Sequence, residues 1–174
     1  MTEPRKIVLF DGRHLRLVER DGWEYVERKT PTGIVAIVAL TPGGGLLLVE
    51  QFRPAVGRTV VELPAGLAGD VPGHEKEELS LAARRELIEE TGYDAEGFDF
   101  LSEGPPSPGA TSEVVTFFRA RGLTRVGSGG GDATERILVH EVAPREVEAF
   151  LSEKERQGAL VDPKVFIGLY FLRG

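Results

Sequence analysis

The sequence predicts an α/β sandwich, a mixed sheet interrupted by one long helix and closed by later helices. Three observations carry that expectation. Residues 33–41, GIVAIVALT, and the run LLLVEQF that begins at Leu46 are almost wholly apolar, as buried strands are. A helical segment runs from about Glu75 or Glu77 to Thr91, with Gly92 placed as its C-cap. Two further helical patterns, PREVEAFLSEKERQ and DPKVFIGLYFLRG, come near the end of the chain.

In chain order, residues 7–10, IVLF, and 14–18, HLRLV, read as strands joined at Asp11-Gly12 in a hairpin. Trp23 to Lys29 fits a third strand, with Trp23, Tyr25 and Glu27 on one face and Glu24, Val26 and Arg28 on the other. Strands so few cannot stand as an independent domain. The expectation is one domain over residues 1–174, in which residues 1–30 form an arm packed on the remainder or on a second copy of the chain.

Pro42-Gly43-Gly44-Gly45 turns one buried strand into the next. A membrane hairpin does not fit, since each arm is under ten residues and the exit carries Glu50 and Arg53. TVVEL at 59–63 gives another strand, and its sharp exit at Pro64-Ala65-Gly66 would aim backbone carbonyls toward the long helix. Within that helix, Leu79, Ala82 and Ala83 share the glutamate side and Leu81 with Ile88 lies opposite, which predicts a helix covered on two sides. Residues 96–104 and 112–121 read as strands separated by the stiff loop Pro105 to Gly109. Gly127 to Gly131 reads as a flexible tip, and the strand pattern after it carries Glu135 at its start. Pro144 opens the next helix, and the last helix presents Val165, Phe166, Leu169 and Leu172 as its apolar side. No internal repeat is found.

At 174 residues the chain is about one domain and can bury a core. Hydrophobic residues make up 41% and charged residues 28%, which excludes disorder throughout. A formal charge of −7 argues against nucleic acid as the main partner, because phosphate backbones call for clustered Lys and Arg. An acidic protein that handles an anionic ligand would need a bridging metal instead. With no cysteine there is neither a disulfide framework nor a thiolate zinc site. The opening MTEPRKIVLF lacks the apolar core of a signal peptide, and no apolar run reaches 18 residues, so no membrane and a cytoplasmic place are expected.

The chain is organised around Arg85 to Tyr93, RELIEETGY, together with Glu77 upstream. At 100° per residue Glu86 and Glu90 project from one helix face and Glu89 lies beside them. Like charges so spaced oppose helix formation by a few tenths of a kcal/mol per pair. A solvated acidic face is the plain reading. The sharper one is a site for a hard cation, Mg²⁺ or Mn²⁺, whose preferred ligands are carboxylate oxygens.

These residues resemble the Nudix hydrolase box, GX5EX7REUXEEXGU, in which U is aliphatic or aromatic. Glu77, Arg85, Glu86, Leu87, Glu89, Glu90, Gly92 and Tyr93 match its last eight fixed positions in register. The box glycine departs from the pattern: six residues before Glu77 stands Val71, and Gly66 in LPAGL is eleven before it, a five-residue insertion within AGDVPGHEK. The resemblance implies the Nudix fold, a mixed β-sheet sandwiched between α-helices (α/β/α), and water attack on the diphosphate of a nucleoside diphosphate conjugate. It implies Mg²⁺, with Mn²⁺ as a substitute, held by Glu86, Glu89 and Glu90 with the carbonyl of Ala65. Arg85 would brace the loop through a glutamate such as Glu77.

WEYVERKT, EQFRPAVG, ELPAGL and GDATERILVHEV, with Pro108 in SPGATSE fifteen residues after Tyr93, resemble the ADP-ribose pyrophosphatases and ADP-sugar diphosphatases over nearly the whole chain. In that resemblance Trp23 stacks on adenine, and Glu24, Arg28, Arg53 and Glu62 line the substrate site. Each has a plainer reading as well: Trp23 as core, and Arg28 and Arg53 as surface ion pairs of little worth. Glu62 is the most telling, because a charge inside a buried strand needs a partner. The general base would be Glu135, in a loop able to swing onto substrate, with Glu113 the runner-up and Asp132 a third choice should the match shift. The resemblance also implies a homodimer with exchanged N-terminal strands. The expected reaction is hydrolysis of ADP-ribose or a related nucleoside diphosphate sugar to a nucleoside monophosphate and a sugar phosphate. A GDP-mannose or other sugar-nucleotide hydrolase is the alternative within the family, and a catalytically silent nucleotide-sugar-binding module the alternative outside enzymes.

Overall fold

The computed structural model describes residues 5–30, 33–70, 73, 75–131 and 136–173. Strands β1 (Lys6–Asp11), β2 (Leu15–Arg20) and β3 (Trp23–Arg28) form an antiparallel meander with its own sheet, ordered β1-β2-β3. Next come β4 (Gly33–Ala39), β5 (Leu46–Arg53), β6 (Arg58–Glu62) and β7 (Ala65–Ala68), then helix α1 (Leu79–Thr91). After it lie β8 (Tyr93–Asp94), β9 (Gly97–Gly104), β10 (Val115–Arg121), β11 (Thr124–Arg125) and β12 (Leu138–Val142). A 3₁₀ turn at Pro144–Glu146 leads into α2 (Val147–Arg156), and β13 (Leu160–Val161) precedes α3 (Pro163–Leu172).

Two mixed four-stranded sheets make the centre, ordered β7-β4-β10-β9 and β12-β5-β6-β13, with a small pair β11-β8 at the side. In the first, β4 runs parallel to β10, from Ile34 beside Val115 to Ala39 beside Ala120. The run GIVAIVA is apolar throughout because both of its faces are covered. Val35, Ile37 and Ala39 pack toward Ala82, Ala83 and Leu87 of α1. Ala36 and Val38 pack toward Val147 and Leu151 of α2 and Val165 and Leu169 of α3. Alternation along one strand thus feeds two separate cores. The result is the helix, sheet, helix layering expected from the sequence.

Several expectations change in detail. The two buried strands flanking the glycine turn are found as expected, but they belong to different sheets, with the bridge Leu40–Leu46 at the turn between them. Helix α1 begins at Leu79 rather than at Glu75 or Glu77, since Glu78 keeps an extended backbone and Glu77 is drawn aside to Arg85. It is covered on one side only, with Leu81 54% exposed. Phe166 likewise points out of α3, whose buried residues are Val165, Gly168 and Leu169. Among the described residues no helix is long and apolar enough to cross a membrane.

The glycine-rich stretch at 127–131 is not a free tip. It lies across the C-terminal end of α1, where the N–H groups of Gly130 and Gly131 donate to the carbonyls of Glu90 (2.8 Å) and Glu89 (3.0 Å). Val126 and Gly127 donate to the carbonyl of Gly92. The last turn of a helix leaves carbonyls without partners, and this strap supplies them. A β-carbon on Gly129 would collide with the backbone of Glu90 and Thr91, so the approach requires glycine.

The N-terminal meander is held by the loop before β10. Val26 donates to the Ala110 carbonyl (2.8 Å) and accepts from Ser112 (3.1 Å), and the Trp23 indole N–H donates to the Gly109 carbonyl (3.1 Å). Every residue of β1 is exposed.

Candidate active site

The turn Pro64-Ala65-Gly66 brings β7 beside β4, with Ala65 opposite Ala36 and Gly66 opposite Val35. Helix α1 packs across this edge and presents its glutamates to it. Glu86 and Glu90 are among the buried residues of α1, at 9% and 4% exposure, while Glu89 stands more open. Gly66 is the reason Glu86 fits: a β-carbon there would fall on the Glu86 carboxylate.

Two partners share the three carboxylates. Arg85 Nη1 donates to Glu86 Oε1 (2.8 Å) and Glu89 Oε2 (3.3 Å). Its other nitrogens reach Glu77 (3.1 and 3.3 Å), the Leu67 carbonyl (2.8 Å) and Asp70 (3.3 Å). Arg85 therefore fastens the loop to the helix, the bracing expected of it. The Ala65 N–H donates to Glu90 Oε2 (3.0 Å). Burial pushes the Glu86 carboxyl up to about 7; Arg85 pulls the other way, and the negative charges of Glu89 and Asp70 add to the rise. Burial opposes the charge on Arg85, yet Glu77 and Glu86 hold its pKa above the ordinary value.

These groups border a cleft of about 640 Å³. Arg28, Arg53, Glu62 and Glu113 line it together with Ala65, Glu86, Glu89 and Glu90. Glu62 is 5% exposed and has the partner that burial demands, accepting from Arg53 Nε at 2.7 Å. Arg28 Nε donates to Glu113 at 2.5 Å. Opposite charges thus meet in one hollow, cations that suit phosphate oxygens beside carboxylates that suit a hard cation.

All of the metal and substrate residues expected from the sequence line this cleft except Trp23 and Glu24. Those two do not reach it within one chain: Trp23 is 62% exposed at the rim of the loop that holds Gly109. Glu135 and Asp132 lie outside the described residues, as does part of the insertion after Gly66. Asp70 and Lys164 line the cleft without having been singled out. Asp70 falls in the inserted loop, and Lys164 opens a helix far along the chain, so neither spacing nor periodicity marks them.

The donor set fits a divalent cation: three carboxylates and Asp70 border one cleft, and a glycine leaves the space that the carboxylate of Glu86 occupies. Among the described residues no group of three acidic or histidine side chains is already gathered as a metal site. Glu86 and Glu89 face Arg85 and Glu90 faces the Ala65 N–H.

The α/β/α sandwich thus carries an acidic helix along an arginine-bearing cleft, an arrangement able to hold a hard cation and an anionic group side by side. The NUDIX domain model matches residues 29–158, and the chain belongs to that family. It is a Nudix hydrolase. It is 31% identical over 172 residues to a methanol dehydrogenase activator of Bacillus methanolicus, covering 95% of this chain and 88% of that one. It is 40% identical over 92 residues to an ADP-ribose pyrophosphatase of Bacillus subtilis (strain 168), which covers 53% of this chain and 47% of that one, so the chain matches about half of that relative's length. A GDP-mannose pyrophosphatase of Cronobacter sakazakii is 32% identical over 136 residues, 74% of this chain and 66% of its own. A solved structure described as an ADP compounds hydrolase shares the fold, with a TM-score of 0.63 at 18% identity over 86% of this chain and 84% of that chain.

Proposed function

We propose that the chain hydrolyses the diphosphate of a nucleoside diphosphate sugar, ADP-ribose or a close relative, to a nucleoside monophosphate and a sugar phosphate. The observation that carries this reading is the single cleft in which Arg28 and Arg53 meet Glu86, Glu89 and Glu90. Likeness to pyrophosphatases of ADP-ribose and of GDP-mannose supports the substrate class.

In this reading Glu86, Glu89 and Glu90, with the Ala65 carbonyl, hold Mg²⁺ or in its place Mn²⁺. A divalent cation so held supplies positive charge to the diphosphate and makes water a better nucleophile. Arg28 and Arg53 bind phosphate oxygens, and Glu62 and Glu113 keep the two guanidinium groups aimed. Arg85 holds Glu86 and Glu89 at their stations. Glu135 takes the proton from the attacking water, with Glu113 the second choice because it borders the cleft. Two chains pair through their N-terminal meanders, which brings Trp23 and Glu24 to the partner's cleft. The exposed apolar side chains of β1, Phe10 foremost at 67%, support that pairing.

A second reading, GDP-mannose as the substrate, draws on the greater length of that alignment. One experiment decides between them: turnover of ADP-ribose, GDP-mannose and UDP-glucose in ¹⁸O-labelled water, with Mg²⁺ and with chelator. The expected result is AMP and ribose 5-phosphate from ADP-ribose, dependent on the cation, with the label showing which phosphorus is attacked. Binding of ADP-ribose with no product released would favour a silent binding module.

A further inference from the structure

A smaller cavity of about 140 Å³ adjoins the cleft, and Pro106, Val115 and Lys164 line both. Pro105, Phe117 and Ile167 give it an apolar wall, and Ser102, Glu103 and Gly104 complete the lining. Lys164 sits in the first turn of α3. The Asp162 carboxylate accepts from its backbone N–H (2.8 Å) and pairs with its Nζ. The side chain is only 20% exposed. An ammonium carries three donors, and Asp162 takes one of them.

Resting on the function proposed above, we infer that this annex receives the sugar ring of the sugar phosphate and that Lys164, at the junction, is a specificity-determining residue. The size of the annex favours the sugar over the nucleoside. A nucleoside brings two ring systems, base and ribose, and a terminal sugar brings one, which suits a cavity a fraction the volume of the cleft. Its chemistry agrees. A sugar ring offers a C–H face to Pro105, Pro106 and Phe117, and hydroxyl groups that accept from Lys164 and donate to Glu103. Continuity with the cleft then places the ring next to the diphosphate, on the far side of the bond that is cut. Asp162 orients Lys164, so the cation is held in position rather than left to sample solvent.

The test is product inhibition by ribose 5-phosphate and by AMP, measured on wild type, Ile167→Trp and Lys164→Ala. Ile167 is 40% exposed, so a larger ring there can fill the annex without entering the core. Both variants are expected to raise the inhibition constant of ribose 5-phosphate by ~10-fold or more, the scale of a lost buried hydrogen bond, and to leave that of AMP unchanged. Should Ile167→Trp fail to fold, as read by its melting curve, Lys164→Ala carries the test. A rise for AMP in place of ribose 5-phosphate, or no change for either, overturns the assignment while the hydrolase reading stands. A wild type that cleaves no sugar nucleotide and is bound by neither product overturns the hydrolase reading itself and this assignment with it.

Discussion

Gly66 and Glu86 occupy complementary space: the side chain that position 66 lacks would stand where the Glu86 carboxylate lies. The bare backbone of β7 is thus what allows a carboxylate of α1 to be buried at the cleft edge. Gly66→Ala should push Glu86 aside and lower kcat by on the order of 10²-fold, the cost of a small misplacement at a reacting centre. Steady-state kinetics beside a circular dichroism spectrum check this; normal turnover would show that the position of Glu86 is unimportant.

Arg85 ties Glu77, Asp70, Glu86 and Glu89 to one guanidinium that is 22% exposed. Arg85→Ala leaves these carboxylates without their shared cation and should cost about 3 kcal/mol of stability, read from urea denaturation. Arg85→Lys should recover little, because an ammonium lacks the planar fork. Equal stability of all three proteins would refute the bracing role.

For the general base, Glu135→Gln should lower kcat with KM nearly kept. Glu113→Gln should instead raise KM, because Arg28 loses the carboxylate that aims it. The reverse pattern moves the base to Glu113.

Trp23 offers an exposed ring at the rim of the Gly109 loop. Trp23→Ala should raise KM roughly 10-fold with little change in kcat, the worth of one base stacked on an aromatic ring. Sedimentation velocity should find two chains per particle if, as proposed above, the ring serves a partner's cleft; a monomer with an unchanged KM removes Trp23 from the site.

Away from the cleft, Glu50 joins β5 to β12 and α2 by accepting from His140 Nε2 (2.7 Å) and Lys154 Nζ (2.5 Å). Burial alone would raise its carboxyl, but Lys154 and His140 together hold it below the ordinary 4.5. Its folded pKa is depressed, so its contribution is present above the unfolded value and is lost as pH falls through the folded one. Glu50→Gln should therefore lower the melting temperature at neutral pH, with the gap to wild type closing as pH drops below about 4.5. A gap independent of pH would mean that the charge of Glu50 is not what holds α2.

Local pattern made much of this molecule legible. The double-sided run at 33–39, the carboxylate ladder of α1 and the left-handed cap at Gly92 arise from neighbours a few residues apart. Failures came where distant groups intervene. Leu81 and Ile88 promised a second buried face, but the side of α1 that turns inward spends two positions on Glu86 and Glu90, so apolar periodicity misjudges it. Glu77 left the helix because Arg85, eight residues on and inside α1, draws its carboxylate aside. Glycines at 127–131 read as slack by composition, whereas here they permit contact between two backbones. Lys164 reaches the cleft only once α3 has docked, a relation that no short window contains.

The shared strand β4 also bears on how the protein is made. Its parallel neighbour β10 is completed only when Arg121 has been added, and both of its apolar faces wait for helices encoded later in the chain than β4 itself. At ~5–20 residues per second that interval on the ribosome is on the order of seconds. Through it the nascent chain carries a greasy ribbon paired along its β7 edge alone, with its β10 edge and the face meant for α2 and α3 open to a chaperone or to self-association.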